Sequence, residues 1–295
     1  VDAFYVSGSW LRLIGLEVTG VQVTQKGHTQ SICFHNEGSH NVYERLLMHD
    51  GQAIGIYSVG GSDNLFLNCD AWNNWDYTSE DGKGGNVDGF GCHPPRGGSG
   101  NVFRGCRAWN NSDDGFDFIN ASESVTVENC WAFRNGFSVD GKRLADGNGF
   151  KIGGFASTPL ERIPDPVPRH RVENCIAFGN KNSGFYANHH PGGSDWLRNQ
   201  ACQNNINFNM LGRRSGSFDD IDGWGHRMEH NVSFESRNPI KNIDEIRCEL
   251  ISNSFELDSN SSSAVTIIPT VEDLKKSRDQ AGHLPAIQFS KVKKE

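Results

Sequence analysis

Four aspartates and one lysine have the types and spacing for chemistry: Asp88, Asp113, Asp114, Asp117 and Lys151. They cluster around a recurring Gly-Phe step, at Gly89-Phe90, Gly115-Phe116, Gly149-Phe150 and Gly184-Phe185, with Asn207-Phe208 as a substituted fifth copy. The residue before each Gly is Asp88, Asp114, Asn148 and Ser183. The residue two places after it is Gly91, Asp117, Lys151, Tyr186 and, in the fifth copy, Asn209. In a stack of strands the Phe is expected to point inward and the next residue outward, because side chains alternate. Asp117, Lys151 and Tyr186 would then form a column on one outer face, with coils about 4.8 Å apart. The four carboxylates would converge at one edge of it. Crowded charges are costly unless neutralised. Hard oxygen ligands in this number suit Ca²⁺, and not Zn²⁺, which prefers His and Cys. A solvated acidic turn, with Lys151 merely salt-bridged to Asp117, is the plainer alternative. Beside a divalent cation, however, the ammonium form becomes costly, and Lys151 is suited to act as a base. Calcium paired with a lone lysine suits uronate elimination: the metal binds the sugar C6 carboxylate, the base takes H5, and the 4-linked sugar leaves.

The elements that must position these residues are legible as repeats. A phrase of the form Asn/Gly-Cys-x-Ala-aromatic-x-Asn occurs at 68–74, 105–111, 129–135 and 174–180, with a worn copy around Cys202. Short strands, Gly or Asn turns and a coil-length period describe a parallel β-helix. Asn111, Asn135 and Asn180 are expected to stack in one turn, their amides bonding to one another and to the turn backbone. Gly and Asn, 34 and 28 residues of 295, make up about a fifth of the chain, unlike a helical bundle. Eight cysteines invite a disulfide framework. Yet Cys69, Cys106, Cys130 and Cys175 share one repeat position, so free, buried thiols are expected.

Net charge is −8, which argues against nucleic acid, whose phosphates require a basic face. No apolar run reaches the roughly 18 residues of a membrane span, so no membrane partner is expected.

The stretches NVDGF (86–90), NNSDDGFDF (110–118) and NGFKIGG (148–154) together resemble polysaccharide lyase family 9. FYANHHPGG (185–193) and NFNML (207–211) look like the branch containing rhamnogalacturonan lyases. The resemblance implies an all-β, right-handed, single-stranded parallel β-helix acting on pectin-type backbones. It implies Ca²⁺ as cofactor on Asp88, Asp113, Asp114 and Asp117, and Lys151 as catalytic base. It also implies an acidic plant cell-wall polysaccharide as partner and a secreted, periplasmic or cell-surface location; a monomer is expected. Family members carry upstream coils and an N-terminal cap, whereas this chain opens directly in strand-like sequence, so missing coils are expected.

Insertions at 75–87, 136–147 and 155–170 are expected to wall a substrate groove. Candidate substrate-binding residues are His93, Arg96, Tyr186, Asn188, His189, His190 and Arg213, with Arg214 nearby. Residues 1–257 are read as the β-helix and 258–295 as a segment covering the last coil, with a polar turn at Ser259–Ser263 and a short helix near Val271–Arg278. The alternatives are a β-helix glycoside hydrolase or uronan epimerase, or a non-catalytic carbohydrate-binding protein or adhesin.

Overall fold

In the computed structural model, residues 1–255, 264–287 and 290–293 are described. The polar turn expected at Ser259–Ser263 lies outside the described residues. Three parallel sheets of nine, nine and eight strands stack coil upon coil among the described residues. The first holds the strands Ile54–Ser58, Phe90–Cys92, Phe116–Asp117, Phe150–Lys151, Ser183–Tyr186 and Ile206–Asn209. Each coil passes from the first sheet to the second, to the third, and back.

The recurring phrase forms the corners of the coil. Its first residue turns the chain from the second sheet into the third in the left-handed region: Asn68 (φ 56°), Gly105 (66°), Asn129 (54°) and Asn174 (52°). Asn and Gly tolerate that conformation at low cost. The Cys that follows points inward. Cys69, Cys106, Cys130 and Cys175 are buried free thiols, as expected, and the Cys106 and Cys130 amides donate to the next sulfur at 3.3 and 3.4 Å. Burial pushes the thiols of Cys33 and Cys202 up to about 12.

The last residue of the phrase builds the expected amide column. Asn74, Asn111, Asn135 and Asn180 each donate Nδ2 to the Oδ1 of the next Asn, Asn180 to Asn204, at 3.0–3.2 Å. The same nitrogens bond to backbone carbonyls, as Asn135 does to Ala108 at 3.1 Å. A second buried column, Asn199 to Asn231 to Asn253, continues where the cysteines end. The Gly of the Gly-Phe step is required here. A Cβ on Gly115 would lie 2.6 Å from the Gly149 carbonyl oxygen, 2.9 Å from the Ala132 Cβ and 2.9 Å from the Asn135 Nδ2. Beside it, Phe90, Phe116, Phe150, Phe185 and Phe208 stack with ring centroids 4.8–5.0 Å apart. Each fully buried ring contributes roughly 1.5–3 kcal/mol.

The segment expected to cover the last coil is described only in part. Its described part lies lengthwise on the outer face of the third sheet, where Ile268, Val271, Leu274, Leu284 and Ile287 pack on Trp109, Trp131, Phe133 and Phe178. The helix Val271–Lys275 is capped by Thr270. Asp70 anchors the segment: it accepts from Arg107 at 2.7 and 3.0 Å and also from Arg278, while the Arg107 Nη1 donates to the Leu274 carbonyl at 3.1 Å. The outward Trp row of the third sheet needed an apolar cover, and this segment supplies it.

Replacing Asn135 with Ala strips partners from the Asn111 amide groups and the Ala108 carbonyl. Each buried polar group left unsatisfied costs about 1–3 kcal/mol. Asn135→Ala is expected to lose about 3 kcal/mol or more in urea unfolding; a loss below about 1 kcal/mol would show that the column is not a stabilising element.

Candidate active site

The register of the first sheet places the five chemical residues. Gly91 pairs with Asp117, Asp117 with Lys151, Lys151 with Tyr186, and Tyr186 with Asn209. Phe116 and Phe150 point into the core, so Asp117 and Lys151 point out of the same strands. Asp88, Asp113 and Asp114 sit on the turns that enter the sheet, and one carboxylate oxygen of each lies within 4.8 Å of the others. All four aspartates are buried, Asp114 completely.

Backbone amides hold these carboxylates in place. The Asp88 Oδ1 accepts from the Asp114 amide at 3.0 Å, and the Asp117 Oδ1 from the Ile119 amide at 2.8 Å. The Asp113 Oδ1 accepts from the Asp146 amide at 2.9 Å, and the Asp114 Oδ1 from the Asn148 amide and side chain at 2.6 and 2.8 Å. The 136–147 insertion therefore supports the cluster directly. Asn148 and Asp146 were not expected as site residues. The Asn148 position was visible as the register partner of Asp114, whereas nothing in the sequence marked Asp146.

The Lys151 Nζ donates to the Asp117 Oδ2 at 3.0 Å and lies 3.2 Å from the Asp114 Oδ2. One ammonium faces four buried carboxylates. Burial and the charges of Asp117 and Asp114 hold the Asp88 carboxyl well above its ordinary range. Burial and the charges of Asp114 and Asp88 do the same to Asp113. Asp114 is raised to about 6, chiefly by burial, with Lys151 opposing. Burial works against the Lys151 charge, but Asp117, Asp114, Asp113 and Asp88 outweigh it and raise its pKa. The Asp114 Oδ2 is fully covered yet accepts no hydrogen bond. An oxygen-only cluster whose four carboxylates face a single ammonium fits a hard divalent cation.

The other expected residues divide. Tyr186 faces outward next to Lys151 in the column, and the His189 Nδ1 is 2.7 Å from the Asp220 Oδ1. The Arg213 Nη1 donates to the Ala156 carbonyl at 2.7 Å, and its Nη2 lies 3.6 Å from Asp220. The His93 ring packs on Tyr57, with centroids 4.8 Å apart. Arg96 is exposed and lines a shallow cleft with Glu123 and Pro164–Pro168. His190 is corrected to a structural role. It is 1% exposed, its Nδ1 accepts from the Gly154 amide at 3.2 Å, and its Nε2 lies 2.9 Å from the Pro168 carbonyl oxygen. Asn188 is buried too, donating to the Gly153 carbonyl at 2.8 Å. Both pin the Gly153-Gly154 turn that follows Lys151. The insertions leave the third sheet at 75–87 and 136–147 and the first sheet at 155–170, flanking the column on both sides.

The fold is a parallel β-helix with an acidic, lysine-containing cluster on one outer sheet. The family described as "Pel9A-like, right handed beta helix region" matches residues 2–231, and the chain belongs to that family, within polysaccharide lyase family 9. It is 34% identical over 285 residues to pectate lyase L of Dickeya dadantii (strain 3937), across 96% of this chain and 60% of that protein. A solved structure described as a rhamnogalacturonan lyase superposes with a TM-score of 0.94 at 44% identity, covering 99% of this chain and 72% of that one. The crystal structure of pectate lyase Pel9A gives 0.75 at 32% identity, covering 98% and 66%. The chain thus spans about three fifths of the length of the two Dickeya pectate lyase L proteins it matches.

The raised carboxyls predict a pH dependence. An acid whose pKa is raised by folding stabilises the folded state below its unfolded pKa, near 4, and that contribution disappears as pH rises through the folded value. For Asp114 the window is therefore about pH 4 to 6. Without metal, the melting temperature of the wild type relative to Asp114→Asn is expected to fall across that window. Saturating calcium is expected to restore the wild type only. Parallel pH profiles for the two metal-free proteins would refute the electrostatic account.

Proposed function

We propose that the chain is the β-helix of a calcium-dependent lyase that cleaves a galacturonate-containing pectin backbone, rhamnogalacturonan I or homogalacturonan, by β-elimination. The observation that carries this reading is the Lys151 Nζ, set 3.0 and 3.2 Å from two carboxylates of a buried acidic cluster on an outward-facing column. The kinship with proteins named pectate lyase and rhamnogalacturonan lyase supports it. As such an enzyme it acts as a single chain outside the cell or at its surface, on plant cell-wall polysaccharide. No helix among the described residues is long and apolar enough to cross a membrane.

Asp88, Asp113, Asp114 and Asp117 would hold the calcium. Bound there, the ion would offset their charge, take the C6 carboxylate of a uronate and acidify H5. The Lys151 Nζ, once neutral, accepts H5. The C5–H electron pair becomes the C4–C5 double bond, the C4–O4 bond breaks with its pair on O4, and water protonates that oxygen. Because the carboxylates hold the Lys151 proton tightly, the rate is expected to rise with pH into the alkaline range. Tyr186, one coil beyond Lys151 in the same column, would contact the sugar.

Lys151→Ala is expected to lose about 10²–10⁴-fold in turnover, the scale of a positioned base. Lys151→Arg should also fail, since guanidinium keeps its proton at any usable pH. Calcium binding should survive both changes, while Asp114→Ala should abolish calcium-dependent activity. The assay is the ultraviolet absorbance of the unsaturated product, which a hydrolase or an adhesin does not generate. Near-wild-type turnover by Lys151→Arg at alkaline pH with saturating calcium would remove Lys151 from the role of base.

A further inference from the structure

The register column on the first sheet extends well beyond the carboxylate cluster. Tyr5 pairs with His35, His35 with Tyr57, Tyr57 with Gly91, and Gly91 with Asp117. Past Lys151 the column continues through Tyr186 and Asn209 to Lys241. His35 and Tyr57 directly follow the core residues Phe34 and Ile56, and Tyr5 follows Phe4, which stacks on Phe34. Alternation therefore turns all three outward. Their rings touch in sequence, with centroids 5.1 Å apart for Tyr5 and His35 and 6.1 Å for His35 and Tyr57; Tyr57 then meets His93. Gly91 permits that last contact, because a Cβ there would lie 2.6 Å from the Tyr57 ring and 3.2 Å from the His93 Nε2. The row spans three coil steps, roughly 14 Å, and ends beside Asp117.

The two arms of the column differ in charge. The register positions Tyr5, His35, Tyr57 and Gly91 include no Lys or Arg. Two carboxylates bond to the outer part of the row: Asp2 lies 2.9 Å from the His35 Nδ1, and Glu37 accepts from the Tyr5 hydroxyl at 2.5 Å, while Tyr57 bonds to the neutral Gln30. The opposite arm carries Lys241 in the column and Arg213 near Asp220. A run of uronates laid along the first arm would bring a carboxylate on every sugar toward Asp2 and Glu37, and like charges set together are disfavoured. Uncharged sugars instead offer C–H faces that aromatic rings can cover.

We propose that Tyr5, His35, Tyr57 and His93 form a binding track for neutral sugar units of the substrate backbone, leading into the reaction centre from the Gly91 side. The proposal rests on the lyase reading for its substrate class. A backbone alternating uronate with a neutral deoxysugar places half as many carboxylates on the aromatic arm as homogalacturonan does.

The test is calorimetric titration of the full chain carrying Lys151→Ala, in saturating calcium. The two probes are an oligomer alternating galacturonate and rhamnose, and a galacturonate oligomer of the same length, both long enough to span the arm. Adding Tyr57→Ala is expected to weaken the alternating oligomer about tenfold, the scale of one aromatic contact, and the galacturonate oligomer by less than about twofold. Tyr57→Phe, which keeps the ring, should retain affinity, and His35→Ala should repeat the selective loss without touching Tyr57. Unchanged affinity for the alternating oligomer in both alanine variants overturns the track, as does an equal loss for both probes. Binding needs no turnover. A selective loss in a protein whose Lys151 form makes no unsaturated product would remove the lyase reading and leave the track standing.

Discussion

The structure depends on keeping each coil in parallel register with the next while polar backbone turns around an enclosed core. A coil closes only by turning corners, and corners bring amides inside. The Asn columns resolve that conflict: each side chain spans one coil interval and uses both its donor and its acceptor. Parallel strands alone would leave these turn amides unpaired, at a cost of about 1–3 kcal/mol each. The same interval sets the stacking of the Phe rings and the approach that excludes a Cβ at Gly115. A residue at one repeat position therefore has a nearly fixed neighbour, one coil away.

The active site exploits that regularity and departs from it chemically. Where other coils carry Asn or Ser before the Gly, two carry Asp, and where others carry Gly, Tyr or Asn after the Phe, two carry Asp and Lys. The scaffold places these groups within ion-pair distance without regard to their charge. Four carboxylates in covered positions strain the electrostatics of the metal-free chain, and one ammonium offsets only part of that charge. Backbone amides from the turns and from the 136–147 insertion orient the oxygens. The remaining deficit is what a hard cation would fill.

Off the catalytic face, the third sheet solves a different problem. Its outward Trp and Phe row is apolar, and the described part of the C-terminal segment covers it, tied by the Asp70, Arg107 and Arg278 group. This arrangement leaves the first sheet as the open face, flanked by the insertions at 75–87 and 136–147 on one side and 155–170 on the other.

Periodic features were readable from composition and spacing. The repeat phrase, the inward thiols, the Asn column and the line of Asp117, Lys151 and Tyr186 all follow from one rule applied coil after coil, since stacking converts sequence position into spatial position. Residues outside the repeat were not readable in that way. His190 and Asn188 looked like groove residues, but packing buries them under the Pro168 loop and the Gly153-Gly154 turn. Asp146 acquires its place only because its insertion folds back onto Asp113. The described part of the C-terminal segment lies on the third sheet, where a row of Trp and Phe side chains stands outward, and only the assembled sheet reveals that row. Local alternation and repetition are properties of the chain, whereas the partner a loop or tail finds depends on surfaces that exist only once the coils have stacked.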